Sequence, residues 1–345
     1  MVTPSQKPGN GPVPSRLPVV QAPMAGGPST PELAAAVSEA GGFGFVAGAY
    51  LTPDGLRDAL DRTRTLTREP LGVNLFVPSD PAGVDGAAIA AYAETLRPLA
   101  DRFGVALGGP RWDDDAWLAK VEVIEASDVH LATFTFGAPT ADAVHRLQRS
   151  GTLVGVTVTS LPEAEVAAAV GADVLVVQGT EAGGHQGVFD PSRPNGVPLL
   201  TALVQISGLG LPMVGAGGVM TSDDVRAVLD AGAVAAQVGT ALLCTPEAGT
   251  SAPHRAALLE GTYSDTVVTQ AFSGRWARGL ANRFAREHPD APTGYPQVHH
   301  VTRPLRAAAA AAGDTDVPSL WAGTGWRQVR AEPAADVVRR LTDGL

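Results

Sequence analysis

His185 is the residue whose surroundings most strongly indicate chemistry. It lies in the string Gln-Gly-Thr-Glu-Ala-Gly-Gly-His-Gln-Gly, residues 178–187, which directly follows a short apolar run. The glycines leave little side-chain bulk around the imidazole, so the ring can lie against a flat ligand. An imidazole has a pKa of about 6.5, which suits proton transfer or charge stabilisation at neutral pH. We therefore predict that His185 is catalytic.

Two glycine-rich turns predict a phosphate site. One contains Gly217 and Gly218 and the other contains Gly239 and Thr240, and each directly follows an apolar run. Glycines allow the backbone N–H groups of a turn to approach a dianion, and the positive end of a following helix adds to the attraction. The two turns together indicate a phosphate-bearing ligand.

Four amide side chains occur at the ends of otherwise apolar runs. They are Gln21, Asn74, Gln178 and Gln237. A buried amide without a hydrogen-bond partner costs about 1 to 3 kcal/mol, so each of these side chains must find one. We expect the four amides to converge on the polar edge of one ligand, although hydrogen bonds to neighbouring loops remain the alternative for each.

A later segment supplies candidates for the substrate side of the site. Tyr295 precedes the adjacent histidines His299 and His300, and Ser273 and Arg275 belong to a Gly-flanked segment. A guanidinium group can clamp a carboxylate or phosphate. No carboxylate or third imidazole stands at ligand spacing from the two histidines, so we predict no metal site.

A repeating strand and helix unit must position these residues. Most apolar runs are followed by a segment of helical period, and four of these segments end at a glycine that begins the next unit. The eight runs are Val19 to Ala22, Phe43 to Ala47, Gly72 to Val77, His130 to Phe136, Leu153 to Val158, Val174 to Gln178, Pro212 to Gly215 and Ala235 to Val238. Alternating strands and helices pair in parallel, and eight units favour an α/β fold of the (β/α)8 TIM barrel type over an open doubly wound sheet.

The predicted organisation is one barrel with additions. We expect a flexible N-terminal segment at 1–16, a barrel at 17–261, a C-terminal cap over the barrel mouth at 262–325 and a C-terminal helix at 326–345. The acidic stretch 112–127, which contains two tryptophans, is interpreted as an insertion before the fourth strand. A barrel keeps its site at the carboxyl ends of its strands, where the candidate residues fall.

Composition restricts the partners. The net charge of -10 argues against nucleic acid and anionic membranes, and no apolar stretch is long enough for a membrane span, so we predict a cytoplasmic protein. A single cysteine excludes an intramolecular disulfide, and two lysines, Lys7 and Lys120, leave few candidates for Schiff-base chemistry. We expect a monomer or homodimer that acts on a small molecule.

Several strings together resemble the nitronate monooxygenase family. They are residues 20–27 (Val-Gln-Ala-Pro-Met-Ala-Gly-Gly), the Glu-Ala-Gly-Gly-His string, the 215–218 turn, Gln237 to Thr240 and Ser273-Gly274-Arg275, in this order. The resemblance implies noncovalently bound FMN and a reaction of a nitronate with O2. It implies that His185 is the catalytic histidine, beside the flavin and the substrate. The implied FMN contacts are Ala22, Pro23, Met24, Asn74, Gln178, Gly183, Gly184, Gly217, Gly218, Gln237, Gly239 and Thr240.

The chain departs from this family at two places. Where class I members carry a second tyrosine and, further on, a lysine, this sequence has His299 and Arg303. We therefore expect a different substrate pocket. FMN-dependent NAD(P)H reductases of enoyl thioesters or quinones resemble the same strings and stay an alternative, as do a barrel lyase or isomerase without redox chemistry and a non-catalytic sensor.

Overall fold

A computed structural model describes residues 11–345. The first ten residues of the predicted flexible segment lie outside the described residues. Within the described part of the chain, no helix is both long and apolar enough to cross a membrane.

Eight parallel strands form the barrel. The barrel strands are β1 Val19–Gln21, β2 Gly44–Ala47, β3 Leu71–Phe76, β4 Leu131–Thr135, β5 Leu153–Val158, β6 Val174–Gln178, β8 Met213–Ala216 and β9 Ala235–Val238. Their order is β1-β9-β8-β6-β5-β4-β3-β2, and a parallel bridge between Val20 and Phe43 joins the two ends of that sheet. The TIM barrel prediction is confirmed, and the open sheet is wrong because the first and second strands meet.

The helices begin and end where the sequence indicates. The hydroxyl oxygens of Thr30, Thr52 and Thr221 accept backbone N–H groups at the starts of three helices. Gly151 follows the end of α5 and Gly232 follows the end of α8, with φ of 91° and 95°, a conformation that costs a glycine little. The helices are α1 Pro31–Glu39, α2 Pro53–Leu66, α3 Gly86–Arg102, α4 Trp117–Glu125, α5 Ala141–Arg149, α6 Leu161–Ala169, α7 Leu199–Ile206, α8 Ser222–Asp230, α9 Ala252–Leu259, α10 Arg283–Glu287, α11 Gln297–Ala311 and α12 Ala334–Leu341.

The stretch 112–127 is not an insertion, which corrects the interpretation from sequence. Its helix α4 packs between α2 and α5, and Val121 and Ile124 belong to the same apolar cluster as the strands beneath them. The added element is α3 instead, because Ile89 and Leu96 pack against the cap helix α11. Both helices lie between the third and fourth strands, and only packing shows which one covers the barrel.

The segment after α9 folds against the barrel mouth. Strands β10 Thr266–Thr269 and β11 Ala277–Leu280 pair antiparallel, and β11 also pairs with the two-residue strand β7, Gly184–His185. The predicted catalytic loop is therefore an edge of the cap's small sheet. At the end of the chain, α12 packs on α1 and α8 and completes the outer ring of helices.

Candidate active site

A cavity of about 480 Å³ opens at the carboxyl ends of the barrel strands. Its wall contains every residue expected to contact the cofactor: Ala22, Pro23, Met24, Asn74, Gln178, Gly183, Gly184, Gly217, Gly218, Gln237, Gly239 and Thr240. His185, Ser273 and His299 line it as well. Tyr295 lines a smaller adjoining recess of about 110 Å³, which it shares with His299.

Strand pairing fixes the backbone of His185. Residues Gly184 and His185 pair with Arg278 and Ala277 of β11, and the side-chain amide of Gln178 donates to the carbonyl of His185 at 3.1 Å. The same amide accepts from the N–H of Gly187 at 2.7 Å. The loop is thus held from the cap on one side and from the end of β6 on the other.

The imidazole of His185 has one nitrogen engaged and one free. Its Nε2 lies 2.7 Å from the hydroxyl oxygen of Ser273, whereas Nδ1 has no protein partner among residues 11–345. The Ser273 hydroxyl can donate to Nε2, or accept from it and give its own proton to the carbonyl of Arg275 at 3.4 Å. Either tautomer of His185 is therefore satisfied, so the free nitrogen can serve as acceptor or donor.

Burial and nearby cations keep the His185 ring neutral. Burial lowers its pKa to about 3, with further lowering by the charges of Arg275 and Arg306. The aromatic rings of Phe76, Phe136, Tyr295 and Trp321 surround it, with centroids 5.4 to 6.3 Å away. An uncharged imidazole in an aromatic wall keeps one unprotonated nitrogen at neutral pH, which is the form that a proton acceptor requires.

Arg275 does not face the cavity, which corrects its placement on the substrate side. Its side chain is 2% exposed, donates to the carbonyl of Val188 at 2.8 Å and lies 3.9 Å from the ring centre of Phe136. Arg275 therefore supports one aromatic wall and acts on His185 through its charge. The neighbouring Arg278 donates to the Thr180 carbonyl, so neither arginine is free to clamp a carboxylate or phosphate in the cavity.

The two glycine turns form an anion cradle. Within residues 11–345, the backbone N–H groups of Gly217, Gly218 and Thr240 have no protein acceptor, although all three residues line the cavity. Gly217 and Gly218 have φ of 132° and 73°, so a side chain there is strained. Free N–H groups in such a turn are the donors that a phosphate requires. The residues present fit a phosphate group.

Three of the four amides face the cavity. The amide nitrogen of Asn74 donates to Thr133 and Thr135, and its oxygen has no partner in the described chain; the side chain of Gln237 has none either. The third, Gln178, uses both atoms of its amide to hydrogen-bond the backbone of the His185 loop. The expectation for Gln21 is wrong, because its amide bonds both Ser29 and the backbone of Phe45 and does not line the cavity.

Sequence reasoning missed two aromatic residues at strand ends. Tyr50 follows β2 and Phe136 follows β4, and both have positive φ, 67° and 79°. A bulky residue in this conformation is strained and is typical of functional sites. Tyr50 stacks on His299 with ring centres 4.5 Å apart, and its hydroxyl accepts from Tyr295 at 3.3 Å. No sequence signal predicts a positive φ at a tyrosine.

The second histidine of the His299-His300 pair has a separate partner. His300 Nε2 lies 2.8 Å from a carboxylate oxygen of Asp113, away from His299. In the described part of the chain, no three His, Cys, Asp or Glu side chains are arranged to hold a metal ion.

Comparison with known proteins gives one consistent relationship. The nitronate monooxygenase family profile matches residues 15–344. The chain is 39% identical to a nitronate monooxygenase of Pseudomonas aeruginosa, over 95% of this chain and 96% of that one. A crystal structure of nitroalkane oxidase from Streptomyces ansochromogenes is 46% identical, with a TM-score of 0.90 and 95% of each chain covered. FabK from Thermotoga maritima is 27% identical, with a TM-score of 0.74, over 96% of this chain and 93% of that one. With the site geometry above, these matches show that the chain is an enzyme of the nitronate monooxygenase family.

Proposed function

We propose that this enzyme uses FMN and O2 to oxidise alkyl nitronates, such as propionate 3-nitronate, to an aldehyde or ketone and nitrite. The observation that carries the proposal is the neutral His185, whose free ring nitrogen belongs to the same cavity as the anion cradle. Family membership supports a redox reaction on a nitronate, since the family is flavin-dependent.

The cavity offers FMN a complementary lining. The free N–H groups of Gly217, Gly218 and Thr240 would hold the phosphate, and the free oxygen of Asn74 and the amide of Gln237 would bond polar atoms of the ring or ribityl chain. Residues 22–24, with Gly183, Gly184 and Gly239, complete this lining. When bound, FMN takes electrons from the nitronate and passes them to O2.

His185 can act on the proton of a nitroalkane and on the negative charge of a nitronate. With Nε2–H donating to Ser273, Nδ1 is a free base that can take the proton alpha to a nitro group. With the proton on Nδ1, the same ring donates to an oxygen of the nitronate and stabilises its charge.

Nitrite formation tests the proposal. Purified, flavin-loaded enzyme is mixed aerobically with propionate 3-nitronate or ethyl nitronate, and nitrite is measured with no reduced nicotinamide present. We expect nitrite in proportion to O2 consumed, and heating should release FMN from the yellow protein. A fully loaded enzyme that forms no nitrite from either nitronate contradicts the proposal.

The similarity to FabK from Thermotoga maritima supports one second candidate, an FMN-dependent NAD(P)H reductase of an enoyl thioester or quinone on the same scaffold. Anaerobic mixing with NADH or NADPH separates the two. Rapid bleaching of the flavin favours the reductase, whereas a flavin that stays oxidised favours nitronate oxidation.

A further inference from the structure

Arg306 holds His299 by one ring nitrogen. Both residues lie on one face of α11, seven positions apart, and Arg306 Nη2 is 3.2 Å from His299 Nδ1. The guanidinium is itself fixed, because it donates to the hydroxyls of Thr302 and Ser319, both at 3.1 Å. Neither His299 nor Arg306 has a carboxylate partner among residues 11–345.

A guanidinium group only donates hydrogen bonds, and this decides where the proton of His299 is. Nδ1 must accept from Arg306, so the single proton of the neutral ring is on Nε2. Nε2 has no protein partner in the described chain, and His299 lines both the main cavity and the adjoining recess. The enzyme thus presents one N–H donor of fixed position toward the cavity.

Stacking holds the ring in its plane. Tyr50 lies parallel to His299, with 5° between the two planes, and Tyr295 contacts it edge-on at 6.2 Å. Tyr295 also contacts the ring of His185 at 6.1 Å, so one phenol contacts both imidazoles. A fixed donor near the predicted base is suited to an oxyanion at the reacting centre.

We propose that His299 is a substrate-binding residue that donates its Nε2–H to an oxygen of the nitronate, and that Arg306 is the positioning residue that fixes this tautomer. The inference rests on the proposed function for the identity of the anion. It concerns a position at which the sequence departs from the tyrosine of its class I relatives.

Two substitutions at His299 distinguish the loss of the hydrogen-bond donor from the loss of the imidazole ring. In His299→Gln, the terminal amide reaches the place of Nε2 and keeps a donor there; in His299→Asn, the amide reaches only the place of Nδ1. We expect kcat/KM for nitronate to stay within a few-fold in His299→Gln and to fall by about 10- to 100-fold in His299→Asn, the range of a hydrogen bond to a charged group. Equal losses in the two variants contradict a donor role.

A double variant tests Arg306. Arg306→Met removes the donor that holds the His299 tautomer, whereas burial, the largest cause of the lowered pKa of His299, still keeps the ring neutral. We therefore expect kcat/KM to fall in Arg306→Met and to recover in Arg306→Met/His299→Gln, because a glutamine amide needs no fixed tautomer to donate. Arg306→Lys keeps a donor and should lose less than Arg306→Met. A double variant that is no better than Arg306→Met overturns the proposal.

Nitrate binding tests the donor role of His299 without relying on turnover. Nitrate is a planar, unreactive oxyanion, and its affinity for the flavin-loaded protein can be measured by calorimetry. We expect wild type and His299→Gln to bind nitrate similarly and His299→Asn about 10-fold more weakly. Unchanged affinity in His299→Asn, or no binding to wild type, contradicts the role of His299. Absence of nitrite from wild type contradicts the proposed function instead.

Discussion

At the scale of single residues, the neutral imidazole of His185 makes a direct prediction. His185→Asn keeps a polar group near the place of Nδ1 but removes the base and the bond to Ser273, so nitrite formation from a neutral nitroalkane should fall by about 10² or more while flavin stays bound. Stopped-flow turnover and the visible flavin spectrum check the two parts. A yellow His185→Asn enzyme with wild-type turnover would remove this residue from the mechanism.

The site residues divide by the kind of signal that reveals them. His185, Gly217 and Gly218 are predictable because a conspicuous residue type follows a strand, and strand ends converge in a barrel. Tyr50 and Arg306 are not predictable in this way. Which of 23 arginines turns inward depends on how the cap folds, and the positive φ of Tyr50 is set by tertiary contacts rather than by its own preference.

At the scale of elements, the turn after β8 predicts a specific loss of flavin. In Gly218→Ala the new Cβ would meet the Glu181 Cβ at 3.0 Å in a residue with φ of 73°, so the cradle must deform. We expect a colourless or weakly yellow protein. Gly151→Ala is the matched control, because it has a similar φ of 91° and open space around the Cβ. It should lose about 1 kcal/mol of stability and keep its flavin. Equal flavin content in the two variants would contradict the cradle.

The helix α4 positions a strained loop through one buried cation. The Lys120 ammonium is 1% exposed and 2.7 Å from Asp115, whose carboxylate accepts the backbone N–H of Tyr50 at 3.2 Å. Lys120→Met should leave Asp115 without its counter-ion and lower the free energy of unfolding by up to about 3 kcal/mol. Arg57→Met breaks the exposed pair with Asp54 and should cost under about 1 kcal/mol. Urea titration measures the free energy of unfolding of both variants. Similar losses in the two would show that burial does not make the Lys120–Asp115 pair more important for stability than the exposed pair.

The same region shows how far elements follow from sequence. Apolar runs and cap residues such as Thr30 and Gly151 identify strands and helix ends, because these are local preferences. Local preference cannot decide whether α3 or α4 covers the barrel. That choice depends on the partner, since Ile89 packs on cap residues and Val121 packs on barrel strands.

At the scale of the whole molecule, barrel and cap form one functional unit. β11 of the cap pairs with His185, the cap's Ser273 bonds its ring, and α11 brings His299 to the same cavity. The barrel supplies the cradle and the amides. Neither part alone therefore contains both the predicted cofactor contacts and the residues around the reacting centre.

Buried histidines in the barrel and in the cap make the stability of the folded protein depend on pH. Burial lowers the pKa of His185 to about 3, that of His254 to about 4 and that of His299 to about 2. In the unfolded chain each titrates near its ordinary value of about 6.5. Below that pH the unfolded state binds protons that the folded state does not. The stability is therefore complete above about pH 6.5 and is lost as the pH falls toward these lower values.

His254 allows this dependence to be measured at one residue. Its ring is 6% exposed, and Nε2 donates to the Trp321 carbonyl at 3.0 Å, a bond that the amide of a glutamine can replace. The free energy of unfolding of wild type should fall steeply between about pH 6.5 and 5, with each buried histidine contributing up to about 1.4 kcal/mol per pH unit. His254→Gln should flatten that slope by about one such contribution. Urea titrations of both proteins across this range, with FMN in excess, measure the two slopes. Parallel slopes for wild type and His254→Gln would mean that the His254 ring already takes up a proton in the folded protein, in conflict with its burial.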